Sequence, residues 1–541
     1  MSRMHFIQNY YLFAVAVAIA FSPTIHAIFL NRTFEDVCTT FASELHVPNV
    51  KVQFSQYLPK GYNLSVPDFP QSCIEAQGSS PYQVIRADVC RIAMLVNTSD
   101  TSSMTLEAWL PSNWTGRFLS GGNGGLSGCV QYVDLSYGSS SGFATVSGNN
   151  GHNGSSAEPF FQQPDVLEDY VYRAIYTGSV VGKKVTTTFY GENIHKSYFM
   201  GCSGGGRQGF KLAQSFPDVF DGIVAAAPAL DFVNLINWGG YLSTLAGFET
   251  NSSTFITESL WQIIHEEVLN QCDALDGAVD GIIEDTDLCH PQFEPLICSE
   301  GTSDSTVCLS GAQAATVRAL YEPLYGVDGA LLYPRLQPGT ETTTYSTYFS
   351  GEPSMLASEW FKYVVYDPSF DPKTLTREDF AVALSQNPYN ISTFDADLSV
   401  FQNRGGNLLT FHGMEDNIIS SEISTLYYHR LAETMSLAPS SLDSFYRYFR
   451  VSGMGHCALG NGAYGLGMYS FGAIDNALDQ DPDDNVLARI VAWVERGEAP
   501  EYIRGTSNTK PLYKRKHCKY PKRNVYIGPG DHTDENAWVC Q

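Results

Sequence analysis

The segment SYFMGCSGGGRQGF, residues 197–210, has the residue types of a serine nucleophile held on a tight turn. An apolar run leads into Gly201, Ser203 and Gly205, which spell G-x-S-x-G, and a helical pattern follows. A strand, a sharp turn and a helix in this order expose a serine hydroxyl at the end of a sheet, and glycines beside the serine avoid collisions within the turn. The N–H of Gly204, at the start of that helix, is placed to bind the oxyanion of a tetrahedral intermediate. The segment therefore predicts acyl transfer to Ser203.

The acid of a catalytic triad is expected after a later strand, because acid and then histidine follow a serine on this kind of turn. Asp416 comes shortly after the apolar run NLLTFHG, residues 407–413, and is the predicted acid. Glu415 beside it is the main competitor, and Asp443 is another. A carboxylate at this place would orient the histidine and stabilise its protonated form.

The predicted base is His456, in the glycine-flanked segment SGMGHC that follows the strand pattern FYRYFRV, residues 445–451. The chain has 12 histidines, and His152 and His412 are the other candidates in loops. His456 is preferred because it alone follows the acid at the end of a strand. It would accept the proton of the serine hydroxyl as a general base.

Cysteines stand directly beside two of the predicted catalytic residues. Cys202 precedes the serine, and Cys457 follows the histidine. If the serine and the histidine come within hydrogen-bond reach, the cysteines come close as well, which predicts a disulfide between them. In the loop-closure account, so long a link destabilises the unfolded chain by about 4–5 kcal/mol. It would also keep base and nucleophile in register; the alternative is that each cysteine bonds elsewhere.

A glycine-rich segment, SGGNGGLSG at residues 120–128, follows the strand pattern RFL. Its backbone N–H groups can approach a ligand closely. We expect one of them, at Gly122, Asn123 or Gly124, to be the second donor to the oxyanion. A phosphate-binding loop is the rival interpretation, but that motif ends in G-K-S/T, and this segment does not.

An acidic segment, CDALDGAVDGIIEDTDLC at residues 272–289, is a candidate cation site. Carboxylates at this density repel one another unless a cation neutralises them, and Gly277 and Gly281 let the backbone offer carbonyls to calcium. The spacing is not that of an EF-hand. The alternative is a solvated acidic loop, and on the residues alone both interpretations stay open. Cys272 and Cys289 bracket the segment and could close it with a disulfide.

Short apolar runs rich in Val, Phe and Ile predict the strands that position these residues. The runs cover residues 90–96, 104–110, 117–122, 142–148, 197–202, 222–228, 407–413 and 445–451. Helical patterns lie between several of them. The clearest, at 484–497, has Asp484 or Asn485 as its cap and ends at Gly497. Strands that alternate with helices predict an α/β fold with a mostly parallel sheet.

The alternation is interrupted between about residues 229 and 402. This part of the chain contains acidic runs, four cysteines and the aromatic cluster EWFKYVVYDP, and strand patterning resumes at 407. We therefore expect an inserted lid domain at 229–402, with a catalytic domain formed by residues 28–228 and 403–541.

The amino terminus and the composition predict export. Residues 1–27 have a weakly basic start, an apolar run too short for a membrane anchor and a small residue before a cleavage point, as in a signal peptide. The 12 cysteines fit an oxidising compartment, and the formal net charge of -25 argues against nucleic acid and anionic membranes as partners. Seven N-x-S/T sequons predict glycosylation, at Asn31, Asn63, Asn97, Asn113, Asn153, Asn251 and Asn390.

Together, the motifs GCSGGG, HGMED and GMGHC resemble those of the fungal and bacterial tannase and feruloyl esterase family. The resemblance extends over nearly the whole mature chain, including the GGNGG loop, the acidic segment and FKYVVY. It implies an α/β-hydrolase fold with a large inserted lid domain, and a triad of Ser203, Asp416 and His456. It also implies paired cysteines beside the serine and the histidine.

The resemblance further implies a structural calcium ion in the lid and no organic cofactor. The calcium ligands would be Asp273, Asp276 and Asp280, with backbone carbonyls near Ala278 and Ile282. The remaining disulfides that the resemblance implies are Cys38–Cys90, Cys73–Cys129, Cys272–Cys289, Cys298–Cys308 and Cys518–Cys540.

The implied function is that of a secreted, extracellular serine esterase acting on feruloyl, that is hydroxycinnamoyl, esters of plant cell-wall polysaccharides. Tannases, which cleave galloyl esters, are the alternative within the family. Fungal tannases of this kind are often cut at a Lys-Arg pair in the lid, and residues 229–402 contain no such pair, which favours a type B feruloyl esterase. An inactive carbohydrate-binding protein with the same fold is the alternative outside enzymes, and the intact triad pattern disfavours it.

The aromatic cluster of the lid has two interpretations. Its rings would line a pocket for a phenolic group, or they would form the core of the lid, which is slightly favoured. The residues concerned are Trp360, Phe361, Tyr363 and Tyr366.

Overall fold

The computed structural model describes residues 32–66, 70–76, 80–299, 306–468, 480–508, 510–528 and 530–541. The predicted signal peptide, residues 1–27, and the sequon residue Asn31 lie outside these ranges. Among the residues described, no helix combines the length and the apolar character needed to cross a membrane.

In the described ranges, 17 strands and 16 α-helices follow one another along the chain. The strands, β1 to β17 in order, are Val50–Leu58, Asn63–Ser65, Tyr82–Val84, Val89–Asn97, Ser103–Pro111, Arg117–Gly121, Phe143–Gly148, Lys196–Cys202, Gly222–Ala226, Leu324–Tyr325, Leu331–Tyr333, Asn407–Gly413, Tyr446–Val451, Tyr502–Thr506, Lys514–Cys518, Asn524–Tyr526 and Trp538–Cys540. The α-helices, α1 to α16 in order, are Phe34–Glu44, Gln71–Ala76, Tyr132–Ser140, Pro164–Glu168, Ala174–Tyr190, Gly204–Ser215, Phe232–Ala246, Glu258–Cys272, Gly311–Leu320, Glu341–Thr344, Met355–Trp360, Arg377–Gln386, Ser399–Asn403, Glu422–Thr434, Pro439–Leu442 and Val486–Arg496.

A mixed sheet of nine strands forms the centre of the described structure, in the order β1-β4-β5-β7-β6-β8-β9-β12-β13. Neighbours from β7 to β13 pair parallel, whereas β1, β4, β5 and β7 pair antiparallel with one another. Every strand segment predicted from the apolar runs is a strand of this sheet. The edge strand β1 is an addition to the prediction, because most of its side chains are partly or fully exposed and it has no continuous apolar run.

Strand β8, which leads to the predicted nucleophile, is covered on both faces. Tyr198 packs in a core on one face with Ile490 of α16. Phe199 belongs to the core on the other face with Phe210 of α6. Because successive side chains of a strand point to opposite faces, a strand covered on both sides is apolar throughout. This packing fixes the end of β8, where the turn of the serine begins.

The helix predicted at 484–497 is α16, which closes one face of the sheet. Asn485 caps it, since the Asn485 side chain accepts a hydrogen bond of 2.9 Å from the N–H of Ala488. The other predicted cap, Asp484, pairs instead with an arginine of β14. Gly497 ends the helix in the left-handed conformation, with φ 73°.

The chain between β9 and β12 forms the part predicted as the lid. It contains helices α7 to α13 and the hairpin β10–β11, while β9 and β12 themselves are neighbours in the sheet. Trp360 and Phe361 are fully buried here, and the ring centroids of Trp360 and Phe232 are 5.0 Å apart. The core interpretation therefore holds for these two aromatics, while Tyr363 and Tyr366 are half-buried. The bounds of the lid domain stay a prediction.

Candidate active site

Ser203 lies in a sharp turn between β8 and α6. Its backbone has φ 62° and ψ −120°, which residues other than glycine rarely adopt and which is found mainly at functional sites. The turn is held by the N–H of Ser203, which donates to Ala226 O at 3.0 Å, and by Ser203 O, which accepts from the N–H of Ala229 at 3.1 Å. A Cβ on Gly201 would lie 2.7 Å from the backbone of Gly205, so close approach requires glycine there.

The side chains of His456 and Asp416 are hydrogen-bonded. His456 Nδ1 lies 2.8 Å from Asp416 Oδ2 and donates to the carboxylate. The other carboxylate oxygen accepts the backbone N–H groups of Ile418 and Ile419, each at 2.9 Å. Asp416 is fully buried, whereas the His456 side chain is 15% exposed. With the proton on Nδ1, the Nε2 atom of neutral His456 is an acceptor, as a general base requires.

His412 is a further partner of Asp416. Its Nε2 lies 3.1 Å from Asp416 Oδ2 and 3.2 Å from Ile419 O, and its Nδ1 lies 2.8 Å from Ser424 Oγ. Because both atoms that face Nε2 are acceptors, Nε2 carries a proton and donates it. The buried His412 is therefore a donor to the carboxylate and not a base. From the sequence alone, His412 is only a rival base; the available signal for its donor role is its position four residues before the acid, in the strand that leads to it.

The pKa values separate Asp416 from the competing acids. Burial opposes the ionisation of Asp416, but the charge of His456 and hydrogen bonds from two histidines outweigh burial and lower its pKa well below the usual value. Burial raises the pKa of Glu415 to about 8, so that Glu415 is mostly protonated at neutral pH. Asp443 pairs with Lys519 and precedes β13, at the opposite end of the strands from the serine. Asp416 is thus the acid best suited to stabilise an imidazolium.

The disulfide predicted between Cys202 and Cys457 is present. Their Cα atoms are 6.0 Å apart, and the bond spans a sequence separation of 255 residues. It joins the residue before Ser203 to the residue after His456, so the loop of the histidine is tied to the end of β8. The predicted pairing of these two cysteines is therefore confirmed.

The five other disulfides that the resemblance implies are present as well, and all the cysteines are paired. One of them closes the acidic segment, and another ties the glycine-rich segment to α2. The bonds are Cys38–Cys90, Cys73–Cys129, Cys272–Cys289, Cys298–Cys308 and Cys518–Cys540.

His152, the other histidine considered as a base, packs as a core residue. It is buried, its Nε2 lies 2.9 Å from Leu126 O, and its ring centroid lies 4.9 Å from that of Phe160. Burial lowers the pKa of His152, which keeps the ring neutral. A ring whose Nε2 faces a carbonyl oxygen donates its proton there and has no place in a triad.

Two of the predicted oxyanion donors in the glycine-rich segment are already in use. The N–H of Gly122 donates to Met200 O at 2.9 Å, and the N–H of Asn123 donates to Gln208 Oε1 at 2.9 Å. Gly122 and Asn123 are therefore unavailable as donors. Among the residues described, the N–H of Gly124 has no hydrogen-bond partner, and a Cβ there would meet nothing within 4 Å. Of the three residues predicted to supply the second oxyanion donor, only Gly124 therefore has a free N–H.

The glycine-rich segment packs directly on the start of α6. A Cβ on Gly204 would lie 2.9 Å from Asn123 O and 3.3 Å from the backbone nitrogen of Gly125. Gly204 is the first residue of α6, so its N–H has no acceptor within the helix. Two segments with unused N–H groups therefore meet beside the serine. Gln208, which the sequence analysis does not single out, holds one segment against the other.

Arginine neutralises much of the acidic segment. Arg515 of β15 lies 3.0 Å from Glu284 and 3.3 Å from Asp280. Arg450 of β13 lies 3.1 Å from Asp285. The charge density that suggests a bound cation is therefore compensated in part by the protein itself, which the local sequence does not reveal because both arginines lie far along the chain.

The predicted calcium ligands fit the ion in type but are not gathered around one point. Among the described residues, no group of three or more His, Cys, Asp or Glu side chains is placed to hold a metal ion. Burial raises the pKa of Asp276 to about 7, and the like charges of Glu284 and Asp280 add to it. The three aspartates each accept a backbone N–H within the segment, Asp273 from Gly281, Asp276 from Ala278 and Asp280 from Ile282. The calcium site therefore stays a prediction.

The sheet, the strained serine turn after β8 and the residues that follow β12 and β13 define the α/β-hydrolase class. Within that class, the sequence model of tannase and feruloyl esterase matches residues 88–541. The chain belongs to the tannase and feruloyl esterase family, a family of carboxylic ester hydrolases.

Similar proteins cover nearly the whole chain. A probable feruloyl esterase B of Aspergillus clavatus is 54% identical over 520 residues, which are 95% of this chain and 97% of that protein. The crystal structure of feruloyl esterase B from Aspergillus oryzae has 50% identity and a TM-score of 0.89, covering 94% of this chain and 100% of that chain. Tannin acyl hydrolase from Aspergillus niger shares the fold at 20% identity and a TM-score of 0.73, covering 94% and 95%.

The first prediction concerns His412. The change His412→Ala removes a donor to the Asp416 carboxylate, so we expect the pKa of Asp416 to rise. A hydrogen bond to a charged group is worth about 1.5–3 kcal/mol, and we expect kcat for an aryl ester to fall about tenfold or more with KM little changed. The acid limb of the pH profile of kcat/KM should move to higher pH.

Ser424→Ala is the matched control for His412, because it removes only the partner of the other ring nitrogen. It should affect kcat far less. An unchanged kcat and an unmoved acid limb in His412→Ala would contradict the donor role.

The second prediction concerns Glu415, whose pKa is raised from 4.5 to about 8. The folded state then binds more protons than the unfolded state between these values, so the free energy of unfolding falls as pH rises through this range. Glu415→Gln removes that dependence. We expect the variant to be about 3–4 kcal/mol more stable than the parent at pH 8 and similar near pH 5, since one pKa unit corresponds to about 1.4 kcal/mol.

Chemical denaturation at pH 5, 6.5 and 8 measures this difference. Glu352→Gln, at an exposed acid, is the control and should follow the parent at each pH. Parallel stability curves for the parent and Glu415→Gln would show that Glu415 titrates normally.

Proposed function

We propose that the chain is a secreted serine esterase that hydrolyses feruloyl and related hydroxycinnamoyl esters of plant cell-wall polysaccharides. One observation carries the proposal: a disulfide links the turn of Ser203 to the loop of His456, whose ring is hydrogen-bonded to the buried Asp416. These are the three groups that acyl transfer to a serine requires.

In the proposed reaction, His456 Nε2 takes the hydroxyl proton of Ser203 while the serine oxygen attacks the ester carbonyl carbon. The N–H groups of Gly204 and Gly124 stabilise the oxyanion that forms. The intermediate then loses the alcohol, which takes its proton from His456, and an acyl-enzyme remains. Water attacks the acyl carbon and gives a proton to the same histidine, which returns it to the serine as the phenolic acid leaves. Asp416 orients the ring and stabilises its charged form in both halves.

The hydroxycinnamoyl preference is supported by the comparisons. Proteins named feruloyl esterase B share 50% or more of their residues with this chain, whereas tannin acyl hydrolase from Aspergillus niger shares 20%. The fold is common to both, so the acyl group that fits the site is a matter for direct measurement. The substrate is expected to be a small phenolic ester or a feruloylated polysaccharide.

Export is part of the proposal. The signal-peptide pattern of residues 1–27 and the six disulfides support it. The sequon asparagines in the described residues are all exposed, as glycosylation requires. They are Asn63, Asn97, Asn113, Asn153, Asn251 and Asn390.

A structural calcium ion in the acidic segment is also proposed. Asp273, Asp276 and Asp280 would hold it with the carbonyls of Ala278 and Ile282, as oxygen ligands suit calcium. The support is the half-buried carboxylate of Asp276, which lies beside like charges. The ion would supply no step of the reaction.

The third prediction is the loss of activity in Ser203→Ala. We expect release of ferulate from methyl ferulate to fall by at least about 10⁴-fold, because the nucleophile is gone and only binding and the oxyanion donors remain. Ser197→Ala, in the same strand, is the control and should keep its activity. Rates on methyl ferulate, methyl caffeate and methyl gallate measure the acyl preference; a higher kcat/KM on the gallate would make the enzyme a tannase.

Labelling with a fluorophosphonate separates the esterase from an inactive carbohydrate-binding protein. A competent serine reacts, so the parent should be labelled and Ser203→Ala should not. An unlabelled, well-folded parent would contradict the proposed function.

The fourth prediction concerns the calcium ion. If it is bound, chelation should lower the Tm, calcium should restore it, and Asp276→Asn should lower the Tm in calcium because a charged ligand is lost. Without a bound ion, Asp276→Asn would be neutral or stabilising, since the amide removes a half-buried charge that lies beside like charges. Metal analysis of the purified protein together with Tm values in calcium and in chelator distinguishes the two results.

A further inference from the structure

A cleft of 660 Å³ lies apart from the candidate active site. It is formed by the carboxyl-terminal half of α6, the start of α7, the segment 387–401 and α14. Lys211 and Arg430 stand on two of its walls, and none of the proposed triad residues lines it. Since α6 begins at the serine and rises 1.5 Å per residue, its Lys211 end is about 12 Å from the turn. The cleft is therefore a separate site where the inserted segment meets the sheet domain.

A glycosylation sequon stands at the mouth of this cleft. Asn390 is exposed and lines it, with φ 54° in a short left-handed stretch. Lys211 Nζ donates to the carbonyl oxygens of Tyr389 at 3.3 Å and Asn390 at 3.0 Å. Ser392, the hydroxyl residue of the sequon, donates to Asp231 Oδ1 at 3.1 Å. The sequon is therefore fixed to α6 through its backbone carbonyls and to Asp231, just before α7, through the Ser392 side chain, and a glycan on Asn390 would begin at the cleft.

The lining of the cleft has the chemistry that sugars require. The guanidinium of Arg430 lies 5.0 Å from the ring centroid of Phe394. These two planar groups form one wall of the cleft, and the N–H groups of the guanidinium supply hydrogen-bond donors. Asp231 and Asn234 lie deeper, and Asp395 stands exposed at the rim. Sugar hydroxyls donate to carboxylates and accept from guanidinium and amide groups, and their C–H faces pack on aromatic rings. The carboxylates disfavour phosphate and other anions.

Because a glycan on Asn390 would be attached covalently at the mouth of the cleft, even weak contacts would suffice to keep its sugars bound there. A tethered group competes for a neighbouring site at an effective concentration in the millimolar range, on the order of that given by a short flexible linker. A site with millimolar affinity for free sugar is then substantially filled. The volume lies within the range of about 300–1,000 Å³ that small-molecule sites have, enough for the first few sugars of a glycan.

We propose that the N-linked glycan on Asn390 folds back into this cleft and packs its first sugars against the Arg430–Phe394 wall and the polar groups of Asp231 and Asn234. The glycan would then act as a clasp that holds the inserted segment on α6 and α14. This role is independent of the ester hydrolysis proposed above, and it depends only on export and glycosylation.

A double-mutant cycle tests the proposal in protein secreted by a eukaryotic host. Asn390→Gln removes the glycan, and Arg430→Gln alters the exposed wall but leaves the sequon. We expect each change to lower the Tm by about 1–3 °C, and Arg430→Gln to have little further effect once the glycan is absent. The control cycle pairs Arg430→Gln with Asn97→Gln, at an exposed sequon on β4, and should be additive. Additive effects in both cycles would overturn the proposal.

A second readout follows the glycan itself. Site-resolved mass spectrometry after endoglycosidase treatment of the native protein should show the Asn390 glycan trimmed at least tenfold more slowly than the Asn97 glycan. Arg430→Gln should remove that protection. An unmodified Asn390, or equal trimming at both sites, would overturn the proposal.

A further arm distinguishes the chain's own glycan from substrate sugar. We expect arabinoxylan oligosaccharides without feruloyl groups to raise the Tm of Asn390→Gln no more than they raise that of the glycosylated parent. A larger rise in Asn390→Gln would assign the cleft to substrate polysaccharide and reject the clasp. Because every readout is stability or trimming, a failure of the proposed esterase activity would leave these results unchanged.

Discussion

The burial of one carboxylate constrains the whole site. Asp416 is withdrawn from water, and its oxygens are satisfied by two histidines and two backbone N–H groups. A buried charge is tolerated only with such a complete set of donors, so the strand, its loop and the neighbouring loop must all be in place at once. The inserted segment takes part as well, because the hydroxyl of Tyr348 donates to Ile418 O at 3.1 Å. The geometry of the proposed triad and the fold are therefore set by the same contacts.

Electrostatics joins parts of the chain that are far apart in sequence. The protein is strongly acidic, yet the acidic segment rests on arginines from β13 and from the carboxyl-terminal strands. Arg515 is held there by the ring of Trp538, whose centroid lies 3.7 Å from the guanidinium carbon. The carboxyl-terminal strands β15 and β17 thus hold the inserted segment beside the sheet. In sequence, the loop of His456 lies between the inserted segment and these strands.

Features that depend on residues close together in the sequence could be predicted from the sequence. The buried strands, the serine turn and the cap of α16 follow from patterns within a few residues, and the cysteine beside each catalytic candidate carried long-range information that sequence rarely offers. The donor role of His412 and the use of the Asn123 N–H by Gln208 were not accessible, because they depend on which atoms meet in space. The pairing of Arg450 and Arg515 with the acidic segment was not accessible from the sequence for the same reason. The edge strand β1 was not predicted, because its side chains are mostly exposed and its sequence, without a continuous apolar run, resembles that of a loop.

The bond between Cys202 and Cys457 also makes the protein a covalent ring with two tails. The entire inserted segment lies inside that ring, whose ends are 255 positions apart. A protease that cuts one peptide bond in the ring would open it without separating the pieces, so nicked and intact molecules would differ in mass by only one water until the disulfide is reduced. The protein can therefore survive backbone cleavage as a two-chain molecule, with Ser203 on one chain and His456 on the other.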